Sequence, residues 1–512
     1  MTGPGTAVAN HPRLSVQAFW LTFSKLIAAL LNIGLPILLV RVMSQTEYGV
    51  MKQAFLFTGT ANSIAAMGLG MSAFYFMPRH PDRGGQIALN ILLYSLVVGW
   101  VPLVVLAFYP RVLRLLFRTD ELVPLAFLLG ILIFLTLTAA LVQTIPTALQ
   151  DVRFSTIFIV GTQLARVILF AVAALVFHTV KSLIIAAMLS QSFGVVVFCW
   201  YLNDRFPRFW TQFEWRAFQE QLAYAIPYGL VGIIWVIQKD LDNYFVSATL
   251  GPRDYAIYAV GWLEIPLISL FLDSVAQVVT IRVSKLQQEG RKDEILRIIA
   301  AATGHLAAIQ LPLYMVLLVA GHDLIVLLYT KAYEPSAQIF AVTITLLLFS
   351  LLLIDPIVRA YAQLRSFVLG VKIVNFVVLF CVLIPVIRRF GMIGAAVVAV
   401  VIQISERLMT GFAAARAVQA KVKDLALYRD SFKVAGLTAG AGLFAFTIRN
   451  LINPSLLVPR ILAVGISFTL LYVPFLYAMR LPGWEYMSKE RIQSFVRNQM
   501  AKMKRTAAQP AP

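Results

Sequence analysis

The sequence predicts an all-α polytopic membrane protein of about fourteen transmembrane helices: two six-helix lobes and two further helices at the C-terminal end. Three observations lead there. Of 512 residues, 60% are hydrophobic and 13% charged, and mean hydropathy is +0.81. Soluble domains carry roughly 25% charged residues, so a soluble particle of this composition would lack polar surface. Apolar windows of about 20 residues, long enough to cross a bilayer as a helix, recur along the chain. Runs such as Ile393 to Ile404 are almost continuously apolar, which excludes the period-two alternation of an outer-membrane barrel.

Taken in order, the windows centre near residues 29, 61, 97, 133, 167, 192, 235, 268, 308, 345, 377, 403, 441 and 469. The first 17 residues lack the basic, apolar and small-residue succession of a cleavable signal, so the first span is expected to remain as an anchor. Spans seven and eight are the least apolar, because Lys239, Asp240, Asp242, Glu264 and Asp273 interrupt them. Between spans six and seven, Phe206, Trp210 and Phe213 recur at helical spacing among charged residues. That pattern predicts an interfacial helix over 205–220. Span thirteen holds Gly436 and Gly440 at small-xxx-small spacing, a signal for close helix packing.

Charge sets the orientation. A net charge of +19 in a soluble protein would suggest nucleic acid, but in a membrane chain it marks basic cytoplasmic loops. With the N-terminus inside, 26 basic residues fall in cytoplasmic segments and 11 in external ones. Both termini are therefore expected in the cytoplasm, no nucleic-acid partner is expected, and 488–512 reads as a basic cytoplasmic tail on anionic lipid. Cys199 and Cys381 lie in apolar runs, and histidines 11, 80, 178, 305 and 322 are scattered. Neither a disulfide framework nor a metal site is expected. With no nucleophile triad or phosphate loop and only short loops, no catalytic residue is assigned and an enzyme is not expected.

The chain also repeats itself. MSQTEYGVMKQA from Met43 aligns with LGPRDYAIYAVG from Leu250, and each places an acidic residue and a tyrosine before the next span. Weaker echoes, PTALQDVRF with RAYAQLRSF and KSLIIAAML with FGMIGAAVV, follow in the same order. The lobes are then 1–204 (spans one to six) and 221–416 (spans seven to twelve), followed by 417–487 (spans thirteen and fourteen). Six being even, the halves enter the membrane from one side, a parallel repeat with the natural substrate site between them.

An ionisable side chain at membrane depth is a functional candidate by default, since burying it costs about 2.5–3.5 kcal/mol or more without a partner or cavity. Six cations lie within spans: Lys25, Lys52, Arg166, Lys239, Lys372 and Arg407. Lys25 and Arg166 lead, having no acidic residue within a helical turn. Lys239 and Asp242 are i,i+3 neighbours able to neutralise each other, and Glu406 and Arg407 sit where side chains snorkel to the interface. Among the acids, Glu264, Asp273, Asp240 and Asp242 are candidates to take up a coupling proton or sodium ion; no other cofactor is implied.

With these motifs the chain resembles the polysaccharide flippases of the multidrug/oligosaccharidyl-lipid/polysaccharide (MOP) exporter superfamily, the Wzx-like branch. The resemblance rests on the two junctions at Met43–Ala54 and Leu250–Gly261, on LIVLLYTKAYEPSAQIFAVTI from Leu324, and on FGMIGAAVVAVV from Phe390. Thr330 stands where the family usually has glycine. The resemblance implies alternating access and flipping of undecaprenyl-pyrophosphate-linked oligosaccharide across the bacterial inner membrane, with a polysaccharide polymerase and a chain-length regulator as partners beside the membrane lipids. Lys25, Arg166, Lys52, Lys239 and Lys372 would then meet the pyrophosphate. A cation-coupled drug exporter and a peptidoglycan lipid-precursor flippase are the alternatives within the superfamily. The precursor branch tends to carry basic residues on span eight, where this chain has Glu264 and Asp273. A membrane-embedded glycan polymerase is a further class, but the richest external loop, Arg111 to Glu121, has three arginines and no histidine.

Overall fold

The computed structural model describes residues 31, 33–263, 265–479 and 481–482, and every regular element among them is helical. Lys25, Glu264 and the basic tail lie outside the described residues. Contacts group the chain into two compact units, one running up to Val260 and taking in Leu383–Met392, the other comprising Gly261–Val382 and the chain from Ile393 onward.

The first unit holds α1 (Ile33–Val42), α2 (Gln45–Ala66), α3 (Leu69–Phe76), α4 (Gly84–Phe108), α5 (Arg111–Phe117), α6 (Ala126–Ala139), α7 (Leu141–Ala148), α8 (Val152–Val172), α9 (Val180–Arg205) and α10 (Trp215–Gly261), whose last residue begins the second unit. In the second are α11 (Pro266–Gln288), α12 (Lys292–Tyr329), α13 (Ser336–Thr343), α14 (Leu346–Ser350), α15 (Asp355–Ala360), α16 (Leu364–Ala417, apart from 383–392), α17 (Arg429–Leu451) and α18 (Leu457–Ala478). Long helices are the consequence of lipid, where backbone groups must be satisfied within the segment. Their outer faces stay apolar: α4 presents Val97, Trp100, Val101, Val104, Val105 and Phe108 outward.

The repeated motif is a pair of helix starts. Ser44 caps α2, its hydroxyl accepting from the Glu47 amide (3.2 Å) while its own amide donates to the Glu47 carboxylate (3.0 Å), a capping box. Tyr48 is then buried. In the second copy, Gly251 (φ 84°, ψ 177°) interrupts α10, Pro252 restarts it, and Tyr255 turns inward. The two copies pack on each other inside the first unit. A Cβ on Gly49 would lie 1.8 Å from the Pro252 carbonyl oxygen, and Arg253 Nε donates to Gln45 Oε1 at 3.1 Å.

Such breaks explain why a count by length and apolar composition differs from the window count. Nine described helices are long and apolar enough to cross a membrane, or ten if α2 and α3, bent by 49°, form one span. The windows near 377 and 403 both fall on α16, 54 residues long and broken at Gly391 (φ 63°, ψ −151°). The window near 345 falls on α13 and α14, each too short to cross alone.

Thr330, after α12, has φ 71° and ψ 165°, the region that Gly251 and Gly391 also occupy and that is essentially reserved for glycine.

Two local expectations are corrected. The segment 205–220 is not a separate interfacial helix: it makes a 3-10 turn at Phe209–Thr211, and α10 begins at Trp215. The cause is packing, since Phe206 sits against Gly84 and Gly85 and Phe209 joins the core. Gly436 and Gly440 face open space; the packed face of α17 carries Val434, Ala441, Gly442 and Ala445, with Gly442 against Met315.

Two outcomes follow for folding. Thr330→Gly relieves a strained backbone, about 1–3 kcal/mol against a glycine entropy cost of about 0.5–1, so the thermal midpoint in detergent rises; a fall would show that the threonine is unstrained. Gly49→Val drives a side chain into the Pro252 backbone and lowers the midpoint, an overpacking cost of about 1–3 kcal/mol. Gly59→Ala on the same helix, with nothing within 4 Å, leaves stability equal or higher. Equal stability of both variants would overturn the close approach.

Candidate functional site

Within the first unit, α2, α5, α10 and the 383–392 segment of α16 enclose a half-open cavity of about 490 Å³. Its wall is largely apolar, including Phe57, Ile64, Leu115, Leu116, Ile237 and Leu241, and two arginines, Arg118 and Arg388, line it. The short α5 is anchored by Leu113 and Phe117, both fully buried, with Phe117 stacked on Tyr244 at 5.4 Å. Arg118 follows as its left-handed cap (φ 52°), which fixes where that side chain leaves the helix. Arg114 on the same helix is paired with Asp120 at 3.3 Å. Neither Arg118 nor Arg388 has an ion pair among the described residues.

Two carboxylates, Asp240 and Asp242, stand on the stretch of α10 that contributes to this wall. Asp240 accepts from the Thr60 hydroxyl at 2.8 Å, and Thr60 lines the cavity. Asp242 is 4% exposed and accepts from the Tyr258 hydroxyl at 2.5 Å and from Asn243 Nδ2 at 3.3 Å. It makes no ion pair among the described residues, so the neutralisation by Lys239 open to it in the sequence does not occur. A buried carboxylate supported only by neutral donors is costly to keep ionised.

The candidate cations have different surroundings. Lys52 lies over the Tyr48 ring and Lys239 over the Trp235 ring, both at 5.6 Å. Half-buried Arg166 faces Phe170 at 5.4 Å, and Phe170 packs on Phe55 of α2. Arg166 has no ion pair among the described residues. Lys372, in the second unit, donates to Glu406, so its charge is taken by an acid across the Gly391 break. Asp273 is exposed on α11. Arg407 lies 3.9 Å from Asp355. Among the described residues no three His, Cys, Asp or Glu side chains gather as a metal site.

A charge cluster that sequence reasoning missed lies in the second unit. Asp323 of α12 is fully buried and accepts from Arg449 of α17 (2.7 and 3.0 Å) and Arg460 of α18 (3.2 Å). His322 bridges Asp323 (3.3 Å) and Glu334 (3.1 Å). The available signal was an aspartate inside an apolar run and an arginine in the outermost turn of each of the last two spans. It was invisible because the partners are 126 and 137 residues away.

Comparisons place this geometry among known proteins. A family model described as "Polysaccharide biosynthesis protein" matches residues 38–338. No protein of curated function matches the sequence. Among solved structures, the lipid II flippase MurJ in an inward closed conformation aligns with a TM-score of 0.66 at 14% identity, covering 90% of this chain and 99% of that one. An inward-facing multidrug resistance MATE family transporter of the MOP superfamily aligns at 0.64 and 15% identity, covering 77% and 95%. A MOP superfamily transporter from Pyrococcus furiosus aligns at 0.56 and 15%, covering 79% and 95%. The fold is that of these transporters.

Asp323→Ala leaves the guanidiniums of buried Arg460 and half-buried Arg449 without their acid, a loss of about 3–5 kcal/mol. A marked drop in thermal midpoint and faster hydrogen exchange in α17 and α18 are expected. Wild-type exchange there would show that the cluster holds nothing.

Proposed function

The chain belongs to the polysaccharide biosynthesis protein family, and we propose that it is a flippase moving polyprenyl-pyrophosphate-linked oligosaccharide across the cytoplasmic membrane for surface polysaccharide assembly. The supporting observation is that one chain joins this family match, over 38–338, to the fold of MOP superfamily transporters. The family description favours polysaccharide over drugs as the pathway served. The alignment with a lipid II flippase over 99% of its length favours a lipid-linked substrate. On this reading the protein is a transporter and not an enzyme, works by alternating access, has both termini in the cytoplasm, and serves beside a polysaccharide polymerase and a chain-length regulator.

Arg166 is the described cation best suited to a pyrophosphate. Its guanidinium rests against an aromatic face with no ion-paired acid among the described residues, and guanidinium–phosphate hydrogen bonds are strong and directional. Lys52 and Lys239, and Lys25 outside the described residues, would add to the same attraction, while Lys372 has its acid already. Asp242 is the coupling residue proposed: a proton or sodium ion neutralises it as the transporter cycles. Asp240 and Asp273, with Glu264 outside the described residues, take secondary places.

In cells lacking their own flippase, Arg166→Ala is expected to lower surface polysaccharide at least tenfold with protein level unchanged. Asp242→Asn abolishes the response of translocation to the proton or sodium gradient, measured in proteoliposomes. Full polysaccharide yield in both variants would sink these roles. Sensitivity of deletion cells to cationic drugs with an unchanged envelope would instead favour the efflux pump.

A further inference from the structure

We infer that the cavity bordered by α2, α5, α10 and the 383–392 segment is a second lipid site, binding the phosphate ester of the polyprenyl carrier at Arg118 and Arg388. The inference rests on the flippase reading. Arg118 and Arg388 are both exposed and free of ion pairs among the described residues, yet both line one cavity whose wall is otherwise mostly apolar. An apolar pocket with two uncompensated guanidiniums matches one chemical class, an anionic head on an apolar chain.

The arrangement also sets how that molecule lies. Asp240, bonded to Thr60 of the wall, puts a carboxylate behind the cavity, so an anionic head is repelled from there and drawn to the arginines. Phe57, Ile237 and Leu241 are left to the chain. At about 490 Å³ the cavity has the size of a small-ligand site, roughly 300–1,000 Å³. It takes the head and the first chain units, and the rest of the chain stays in the bilayer. With the N-terminus inside, the 109–123 and 388–392 connections lie on the external side, so the site receives carrier after translocation. Anchoring of α5 by Leu113 and Phe117 holds Arg118 in place without a substrate-induced change.

The test uses the full chain in detergent, titrated with undecaprenyl phosphate and followed by native mass spectrometry, with phosphatidylglycerol as competitor. The Arg118→Ala/Arg388→Ala double variant is expected to bind about tenfold more weakly. Both side chains are exposed, so the thermal midpoint should stay at the wild-type value. Arg114→Ala, whose guanidinium is already paired with Asp120, should bind as wild type. Unchanged binding in the double variant overturns the site. Phosphatidylglycerol binding as tightly and falling in parallel overturns the carrier assignment. Failure of the wild-type chain to restore surface polysaccharide in flippase-deficient cells would sink the flippase reading by itself, whatever the binding shows.

Discussion

Hydrocarbon offers no water to a charge, so every ionised side chain in a helical membrane protein must meet an opposite charge, reach the interface, or change its state. The charges of this protein sort by which of these they do. Asp323 meets two guanidiniums, and Lys372 meets Glu406. Asp242 meets a tyrosine hydroxyl and an asparagine amide, and Arg166 meets an aromatic face. The first pair of residues is settled by permanent partners. The second pair is settled only partly, by neutral donors and an aromatic ring.

The same scarcity of water governs where the helices break. A break frees backbone groups that need a new partner or a special conformation. At Gly251 and Gly391 the chain takes an extended left-handed conformation and resumes as helix at once. Pro252 restarts α10 with no amide to leave unpaired, and its carbonyl approaches the Gly49 backbone so closely that no side chain fits there. Glycine and proline at these junctions are therefore answers to a packing problem. Thr330 is the exception, holding the same backbone conformation with a β-branched side chain. A bend between α2 and α3 is made by Met67 and Gly68, both left-handed, with Gly229 of α10 pressed against the Met67 carbonyl.

The fold class was legible because it depends on composition and on the lengths of apolar runs, both local properties. The junction motifs were legible for the same reason: a capping box at Ser44–Glu47 and a Gly-Pro restart at Gly251–Pro252 are written within a few residues. What escaped was everything that needs two distant segments. The mutual packing of the two junctions, the Asp323 cluster and the pairing of Lys372 with Glu406 each join positions 34 to about 200 residues apart. Phase along a helix was the other failure. Gly436 and Gly440 have the spacing of a contact face, but spacing does not say which way the face points, and Ala441 and Ala445 make the contact. Aromatic residues near 206–213 showed helical period, yet Phe206 and Phe209 turn inward onto α4 and the core, which leaves Trp210 and Phe213 exposed around a 3-10 turn and not on one continuous helix face.

A fold shared by a lipid II flippase and drug transporters leaves substrate choice to side chains. The sign of the uncompensated charge then carries weight. A transporter of cationic drugs gains from carboxylates open to its cavities and loses from guanidiniums there. In the first unit Asp240 and Asp242 of α10 are engaged by hydroxyls, the second of them 4% exposed, while Arg118 and Arg388 line the cavity with no ion pair among the described residues. Engaged acids and unengaged arginines favour an anion over a cation at this surface, and an apolar wall favours one that carries a hydrocarbon chain. Asp242 is held by a tyrosine hydroxyl and an asparagine amide, whereas Asp323 is clamped by two arginines. Asp242 is therefore the one of these two carboxylates with no charge partner among the described residues, while Asp323, the more completely buried of the two, holds α12, α17 and α18 together.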